Sequence, residues 1–494
     1  MFRPVTYVYG AGAGTCIVMD SHLTKPCSRL TLLKSAVCQT PIAMTTRDVK
    51  EIENRVPSKT DDTLVAGGSA RSNANDKPGD RIAYIGPGLV TGASDDDPSG
   101  IATYSQAGAQ FGFATLWMTL FSYPFMCVIQ EISARIGRVT GVGISANIRR
   151  AFPRPVVYGV VAMLLVSSIF NLGADLGAMG ESAHMLFGGP AWAYLLVLGL
   201  ASIALQIWVP YTRYVKYLKF LAISLLAYVV TAFVVHIDWR AALAATLVPP
   251  IKMFHGDYLT MIVAVLGTTI SPYLFFWQAS QEAEEVQARP EEKSLREDPS
   301  QARKQLIRIR VDTYAGMAAS NAVAFFIMLT TAATLHTKGH EHIGTAVQAA
   351  QALEPLAGRF AYLLFATGII VTGLLALPVL GGAAAYAVGE AMKWRVGLEI
   401  KPARATKFYA TLGSATLVGL VLNFIHFDPI KSLFIAAVIN GVLAAPVMAL
   451  IMVMTQRHQV MGRFTIPFYL RTIGWLGTGA MFAASMAFLW QSVK

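Results

Sequence analysis

The chain has few charged residues for its length and no recognisable catalytic motif. Only 14% of its 494 residues are Asp, Glu, Lys or Arg, whereas 54% are hydrophobic. Soluble domains carry about a quarter charged residues, so this composition indicates a protein embedded in lipid. The sequence also lacks a nucleotide-binding glycine loop, a Ser/His/Asp arrangement and a metal-hydrolase motif. These absences predict that the chain is not an enzyme and that it holds no cofactor.

Cysteine is scarce as well, with four residues in the whole chain. Cys16, Cys27 and Cys38 precede the first apolar run, and Cys127 lies inside one. No two of them have the short spacing of a zinc finger, and a cytoplasmic tail would be kept reduced. We therefore interpret all four as free thiols without a functional role.

Long apolar runs occupy most of the sequence. A transmembrane helix needs roughly 20 mostly apolar residues, and about eleven stretches meet this requirement. They predict an all-α polytopic membrane protein whose main partner is the lipid bilayer. The predicted spans, numbered one to eleven in chain order, are 82–109, 113–134, 156–185, 190–209, 216–236, 258–281, 311–335, 360–391, 406–425, 431–455 and 467–490.

The distribution of basic residues sets the predicted orientation. The chain has 40 Lys and Arg against 29 Asp and Glu, a net charge of +11. The basic residues gather in alternate connections between spans, which is the positive-inside pattern and not a nucleic-acid-binding surface. It predicts a multi-pass protein of the plasma (cell inner) membrane with a cytoplasmic N-terminus and an external C-terminus. Members of this set are Arg135, Arg138, Arg149, Arg150, Arg154, Arg213, Lys216, Arg303, Lys304, Lys393 and Arg404.

The N-terminal segment differs in composition from the rest. Residues 1–80 contain scattered polar residues and a Gly/Ser/Asn/Asp-rich stretch, so they predict a flexible cytoplasmic tail. Met44 opens a more hydrophilic leader and is a second candidate for the translation start. Residues 81–494 form the predicted transmembrane domain.

Helix breakers interrupt span one within 92–100 and span six within 268–272. Matching interruptions in two halves of a chain are typical of transporters built from inverted repeats, with a site near the membrane midplane. The predicted first repeat, second repeat and extra helix cover residues 82–236, 258–455 and 467–490.

The interruption of span one contains three consecutive carboxylates, Asp95, Asp96 and Asp97. Inserting a charged group at the membrane centre costs at least ~2.5 kcal/mol, so these groups must meet a cation or water. Pro98 and Gly100 would unwind the helix and free carbonyl oxygens. Oxygen-only ligands suit hard divalent cations. The alternative, a helix end in water, is opposed by the apolar flanks on both sides.

The interruption of span six offers hydroxyl groups in place of carboxylates. Thr268, Thr269 and Ser271 precede Pro272, which breaks the helix. Their hydroxyls and the freed carbonyls could complete an oxygen-rich shell opposite Asp97. In the alternative interpretation, the hydroxyls bond back to helix carbonyls and the proline only kinks the span.

Four segments resemble the Nramp family of divalent metal transporters. The run 97–100, followed by IATYSQAGAQFG, resembles the first-helix Asp-Pro-Gly-Asn region of that family. QEISARIGRVTG at 130–141 resembles its second helix, and ADLGAMGESA at 174–183 resembles its third. Residues 270–274 fall where the family has a Met-Pro-His-Asn motif in helix six. The resemblance implies a LeuT-like fold of two inverted five-helix repeats with helices one and six broken.

The resemblance also implies a ligand set that departs from the family. The family's ligand positions fall on Asp97, Gly100, Ser271 and Thr268, and only the aspartate keeps its side-chain type. Loss of the sixth-helix methionine removes a soft ligand that favours transition metals. The harder, more acidic site resembles the Nramp-related magnesium transporter branch. The complete predicted metal-ligand set is Asp95, Asp96, Asp97, Gly100, Thr268 and Ser271.

The family's proton route is only partly present. Asp175 matches its helix-three aspartate, whereas Ala178 replaces a glutamate and Tyr273 replaces the helix-six histidine. Glu181 lies on roughly the face of Asp175, one turn beyond Ala178, and could line a wet path or stand at the outer helix end. Histidine relays protons near neutral pH, so its loss predicts weak or absent proton coupling.

These features together predict import of Mg²⁺, and of Mn²⁺, as transported substrates. Gln278 and Asn440 are further candidates for the permeation path, although interhelix hydrogen bonds would explain them equally well. One alternative function is a proton-coupled Mn²⁺/Fe²⁺ importer of the ordinary Nramp type. A second alternative is a LeuT-fold symporter for an organic solute. A monomer is consistent with the sequence.

Overall fold

A computed structural model describes residues 5–9, 12–16, 86–209, 225–288, 292–425 and 428–493. The chain divides into two compact units, Met1–Asp76 and Lys77–Lys494. In the first unit, strands β1 (Val5–Tyr9) and β2 (Gly12–Cys16) pair in an antiparallel hairpin. Cys27, Cys38 and Met44 lie outside the described residues, and the flexible tail stays a prediction.

The first half of the second unit contains eight described α-helices. Two residues separate the first two helices, and the short fourth helix precedes the longest one. The helices are α1 (Pro87–Asp95), α2 (Pro98–Phe111), α3 (Trp117–Thr140), α4 (Ile144–Ala151), α5 (Arg154–Phe187), α6 (Ala191–Trp208), α7 (Leu226–Val234) and α8 (Trp239–Leu247).

The second half contains ten described α-helices, three of them only one turn long. A two-residue break again separates its first two helices. The helices are α9 (Gly256–Thr269), α10 (Pro272–Ala288), α11 (Ala302–Thr334), α12 (Ala346–Ala350), α13 (Glu354–Ala357), α14 (Ala361–Ala391), α15 (Thr406–Leu422), α16 (Pro429–Thr455), α17 (His458–Met461) and α18 (Phe468–Val493).

The predicted all-α polytopic architecture is confirmed. Eight helices of the described chain are long and apolar enough to cross a membrane, counting α9 and α10 as one. They correspond to predicted spans three, four and six to eleven. Helices α2 and α3, bent by 108° at their junction, form a ninth candidate pair. Helix α3 accounts for most of span two, and α1 and α2 together account for most of span one. Span five lies partly outside the described residues, and α7 is its described part.

The two predicted helix breaks are present and short. Asp96 and Asp97 separate α1 from α2, and Ile270 and Ser271 separate α9 from α10. A proline occupies the first position of each following helix, where its missing N–H leaves no intrahelical bond unmade. The local sequence therefore explains both where each span stops and where it resumes.

Glycine lets α1 approach α11 at backbone distance. A Cβ placed on Gly92 would overlap the backbone of Gly316, because the two helices cross there without side chains between them. Such small-residue contacts are a common way to pack helices in a membrane, where apolar side chains gain nothing from leaving lipid. This crossing fixes the acidic end of α1 against α11.

Candidate metal site between the two broken helices

Asp97 joins the two broken spans. Its Oδ1 accepts hydrogen bonds from the Gly100 amide and the Ser99 hydroxyl, both at 2.7 Å, so the side chain caps α2. Its Oδ2 accepts a hydrogen bond of 3.0 Å from the Tyr273 hydroxyl on α10. Asp97 is 1% exposed. The amide groups at a helix N-terminus favour the charged form of a buried carboxylate. The charged form is the one that binds a cation.

Gly100 and Thr268 face each other across the same junction. A Cβ placed on Gly100 would lie 3.1 Å from Thr268 Oγ1, so the backbone of α2 directly adjoins the end of α9. Both residues are buried. This contact brings two predicted ligand positions to the place where Asp97 also lies.

The Ser271 hydroxyl bonds within its own span. It donates to the carbonyls of Gly267 and Thr268, at 3.0 and 2.9 Å. This back-bonding was the alternative interpretation of the hydroxyl residues in span six. A hydroxyl oxygen keeps its lone pairs while its proton is donated, so the Ser271 oxygen can still coordinate a cation.

Asp95 and Asp96 share a hydrogen-bond donor that differs from those of Asp97. They accept hydrogen bonds from one serine hydroxyl on α11, Ser320 Oγ, at 2.8 and 3.0 Å. A hydroxyl has a single proton, so it cannot fully satisfy both carboxylates at once. Asp95 Oδ1 has no hydrogen-bond partner among the described residues. The same part of the chain holds no group of three His, Cys, Asp or Glu side chains with metal-binding geometry.

The structure thus divides the predicted ligand set into two groups. One group lies around Asp97, between α2 and α9–α10. The other group consists of Asp95 and Asp96, which contact α11. Ser320 was not among the predicted site residues. The available signal was a polar Ser320-Asn321 pair inside an otherwise apolar span.

Asp175 adds another buried carboxylate beside this junction. It lies on α5, is 0% exposed, and lies near the Ser99 backbone amide, although neither carboxylate oxygen makes a well-aligned hydrogen bond among the described residues. Asp175 interacts electrostatically with Asp97 and with the Tyr273 phenol. An isolated buried carboxylate is unfavourable unless a proton or a cation compensates it. The buried carboxylates of Asp97 and Asp175 therefore favour binding of a cation at this junction.

The other predicted path residues make structural contacts in this conformation. Gln278 donates to Thr313 Oγ1 at 2.8 Å, linking α10 to α11. Asn440 Oδ1 accepts from Ser167 Oγ at 2.5 Å, linking α16 to α5, while its Nδ2 lacks a partner among the described atoms. Glu181 is half-buried further along α5. Their contribution to a permeation path stays a prediction.

A family model described as natural resistance-associated macrophage protein-like, or Nramp, matches residues 88–491. The chain belongs to the Nramp family. The resemblance found in the sequence is therefore confirmed, and the chain is a membrane transporter and not an enzyme. Any metal it handles is its cargo and not a resident cofactor.

Two curated relatives are named divalent metal cation transporter MntH. The protein from Deinococcus radiodurans is 26% identical over 432 residues, which cover 86% of this chain and 94% of that protein. The protein from Yersinia pestis (strain Pestoides F) is 28% identical over 300 residues, which cover 60% of this chain and 69% of that protein.

Solved structures share the fold at low sequence identity. The Eremococcus coleocola manganese transporter, in complex with an aromatic bis-isothiourea substituted compound, gives a TM-score of 0.67 at 15% identity, covering 82% of this chain and 85% of that chain. Mhp1, a nucleobase-cation-symport-1 family transporter, gives 0.52 at 13% identity, covering 82% and 92%. These likenesses confirm the predicted LeuT-like fold of the Nramp chain.

Proposed function

We propose that this Nramp chain imports a hard divalent cation, Mg²⁺ and also Mn²⁺, through the junction of the two broken spans. Family membership and the MntH relatives support a divalent metal cation as the cargo. They also remove support from the organic-solute alternative. The preference for Mg²⁺ is the finer part of the proposal and depends on the ligands at the junction.

The observation that carries the proposal is the oxygen character of this junction. At the junction of α2 with α9–α10, beside Gly100, the side chains of Asp97, Thr268 and Ser271 can offer a cation only oxygen atoms. Mg²⁺ prefers oxygen ligands and retains several waters, so it does not require a complete protein cage. A site with one direct carboxylate and several hydroxyls fits a partly hydrated ion.

The same junction supports weak or absent proton coupling. Tyr273 donates its hydroxyl to Asp97 at the position of the family's histidine. An ordinary tyrosine titrates near pH 10, so it does not exchange protons readily around neutral pH. A divalent ion moving inward gains about 4.6 kcal/mol from 100 mV of membrane potential, which drives uptake without a proton.

One observation favours the Mn²⁺/Fe²⁺ alternative. Met179 lies one helical turn after Asp175 on α5 and is fully buried. Its thioether and the ring of Pro98 both lie against Gly373 on α14, so a sulfur atom is close to the start of α2. A soft ligand at this place would favour transition metals over Mg²⁺. Met179→Leu separates the two functions.

The deciding experiment is ion flux into proteoliposomes with and without a pH gradient. We expect Mg²⁺ and Mn²⁺ uptake driven by membrane potential, no accompanying proton flux, and loss of uptake in Asp97→Ala. Met179→Leu should leave the ratio of Mg²⁺ to Mn²⁺ uptake unchanged. Mn²⁺-only uptake that follows the pH gradient and falls in Met179→Leu would refute the proposal and establish the alternative.

The proposed setting is the plasma membrane, with the N-terminus in the cytoplasm. The alternation of basic connections supports this orientation. Cysteine labelling from each side of intact cells tests it. A reagent confined to the outside should label a cysteine placed at Lys338 and should not label one placed at Arg404; the reverse pattern would overturn the orientation.

A further inference from the structure

A basic cavity lies where two membrane spans end. It has a volume of about 640 Å³ and is lined by Arg149 and Arg150 of α4, Arg154 and Tyr158 of α5, and Lys393 after α14. Helices α5 and α14 are both long and apolar enough to cross a membrane. The cavity therefore opens at a membrane surface, on the side where the basic connections concentrate.

The basic cavity holds four cations and more positive charge than the nearby carboxylates offset. Among the described residues none of them forms an ion pair, whereas Arg138 and Arg308, near the same surface, are each paired with glutamates. No carboxylate lines the cavity. Glu390 accepts hydrogen bonds from the Ala146 amide and the Ser280 hydroxyl at 3.2 and 3.1 Å. Arg149 and Lys393 also border an adjoining cavity that contains Glu284 and Glu390, whereas no carboxylate shares a cavity with Arg150 or Arg154 in these two linings. The basic cavity therefore keeps an excess of positive charge.

Lys393 has an unusual backbone conformation. Its φ is 61°, and it is the only non-glycine residue in the described chain with a positive φ. A residue with a Cβ is disfavoured in this region, and glycine is the ordinary choice just after a helix. Strained residues are more frequent at binding sites than elsewhere. The residue with this conformation lines the cavity.

An apolar ridge continues from the cavity along α5. Tyr158, Ala162 and Val166 follow one another at intervals of four residues and are all exposed, Tyr158 by 47% and Val166 by 66%. Residues four apart share one helix face, so they form a single strip that runs from the basic end into the membrane region. An amphipathic ligand would use both the charged cavity and this strip.

We propose that the basic cavity binds the phosphate headgroup of an anionic phospholipid, with an acyl chain along the ridge of α5. Basic pockets between transmembrane helices at a membrane surface are suited to such headgroups. A free phosphate ion would satisfy the cations but would leave the apolar strip unused. The lipid would fasten α4 and the end of α14 to the start of α5.

The test compares lipid binding by purified full-length protein in detergent, using native mass spectrometry with phosphatidylglycerol and phosphatidylcholine. The test variant combines Arg150→Gln, Arg154→Gln and Lys393→Gln. Its matched control also removes three exposed cations that are unpaired among the described residues, by the substitutions Arg303→Gln, Lys304→Gln and Arg404→Gln.

We expect the test variant to bind phosphatidylglycerol roughly a hundredfold more weakly than wild type, because each basic residue at a lipid surface contributes about a fivefold factor. The control variant should bind as wild type does, and phosphatidylcholine should bind weakly to all three proteins. Equal loss in the test and control variants, or equal binding of both lipids, would overturn the proposal.

A single substitution keeps the test independent of folding. Lys393→Gly removes one charge and also relieves the positive φ, so the protein should remain at least as stable as wild type. It should nevertheless bind phosphatidylglycerol about fivefold more weakly. Unchanged affinity in this variant would contradict a headgroup site, as would competition by inorganic phosphate as strong as that by phosphatidylglycerol.

Discussion

Tyr273→Phe tests whether the phenol competes with the cation for Asp97. The hydroxyl donates to Asp97 Oδ2 at 3.0 Å, and both side chains are almost fully buried. A hydrogen bond to a charged group contributes about 1.5–3 kcal/mol. Asp97 Oδ1 already accepts two hydrogen bonds, so we expect the cation to bind at Oδ2 and to weaken or break the bond from Tyr273. Without the phenol, cation binding no longer costs the free energy of this hydrogen bond, so the affinity should rise.

Two measurements follow from this reasoning. Without metal, Tyr273→Phe should unfold at lower temperature, because Asp97 loses the one donor it receives from α10. With metal, the apparent affinity for Mg²⁺ and Mn²⁺ should rise by about ten- to a hundredfold, since 1.4 kcal/mol corresponds to a factor of ten. Calorimetric titration of the purified protein measures the affinity, and thermal unfolding measures the stability.

Tyr228→Phe is the matched control. Tyr228 is also an almost fully buried tyrosine, but its hydroxyl lies beside Ser105 and makes no hydrogen bond to Asp97. We expect it to leave cation affinity within about threefold of wild type, which is about 0.7 kcal/mol. A Tyr273→Phe variant that bound the cation more weakly than this control would refute the reasoning, because the phenol would then assist binding.

The remaining predictions concern the packing of α1 against α11 and the backbone strain at Lys393. Ser320→Ala removes the hydroxyl shared by two buried carboxylates and should lower the free energy of unfolding by about 1–3 kcal/mol in denaturant titration; Ser320→Thr, which retains the hydroxyl, should lose less. Gly92→Ala should destabilise the protein by at least about 1 kcal/mol, because its Cβ would overlap α11. Gly159→Ala is the control for this change, because a Cβ on Gly159 would have no atom within 4 Å; it should be neutral or stabilising in the same denaturant titration. Lys393→Gly should raise the free energy of unfolding by about 1 kcal/mol, since it relieves the positive φ; an unchanged or lower value would show that the strain is absent in solution.

The local sequence determined the breaks in the two spans. Proline and glycine remove donors or relax the backbone wherever they occur, so the interruptions before Pro98 and Pro272 could be predicted without knowledge of neighbouring helices. Apolar run length similarly predicted the membrane spans, because a bilayer imposes nearly the same thickness on each of them. These are local properties, and the structure confirms them.

Only the tertiary structure decided how the acidic triplet is used. The three aspartates are adjacent in sequence, yet Asp97 caps α2 while Asp95 and Asp96 contact Ser320 on α11, more than 220 residues away. The direction of each carboxylate depends on which helix packs beside it. That neighbour is set by long-range packing, which the spacing of the aspartates does not encode.

The basic residues illustrate the same division between sequence and structure. Their alternation along the chain was sufficient to predict orientation, because that rule depends on counting charges in each connection. Their assembly into one cavity required Arg149, Arg150 and Arg154 to meet Lys393, which lies more than 230 residues later in the chain. Packing of α5 against α14 brings them together. Charge sign is a property of the sequence, whereas a cavity with excess positive charge is a property of the fold.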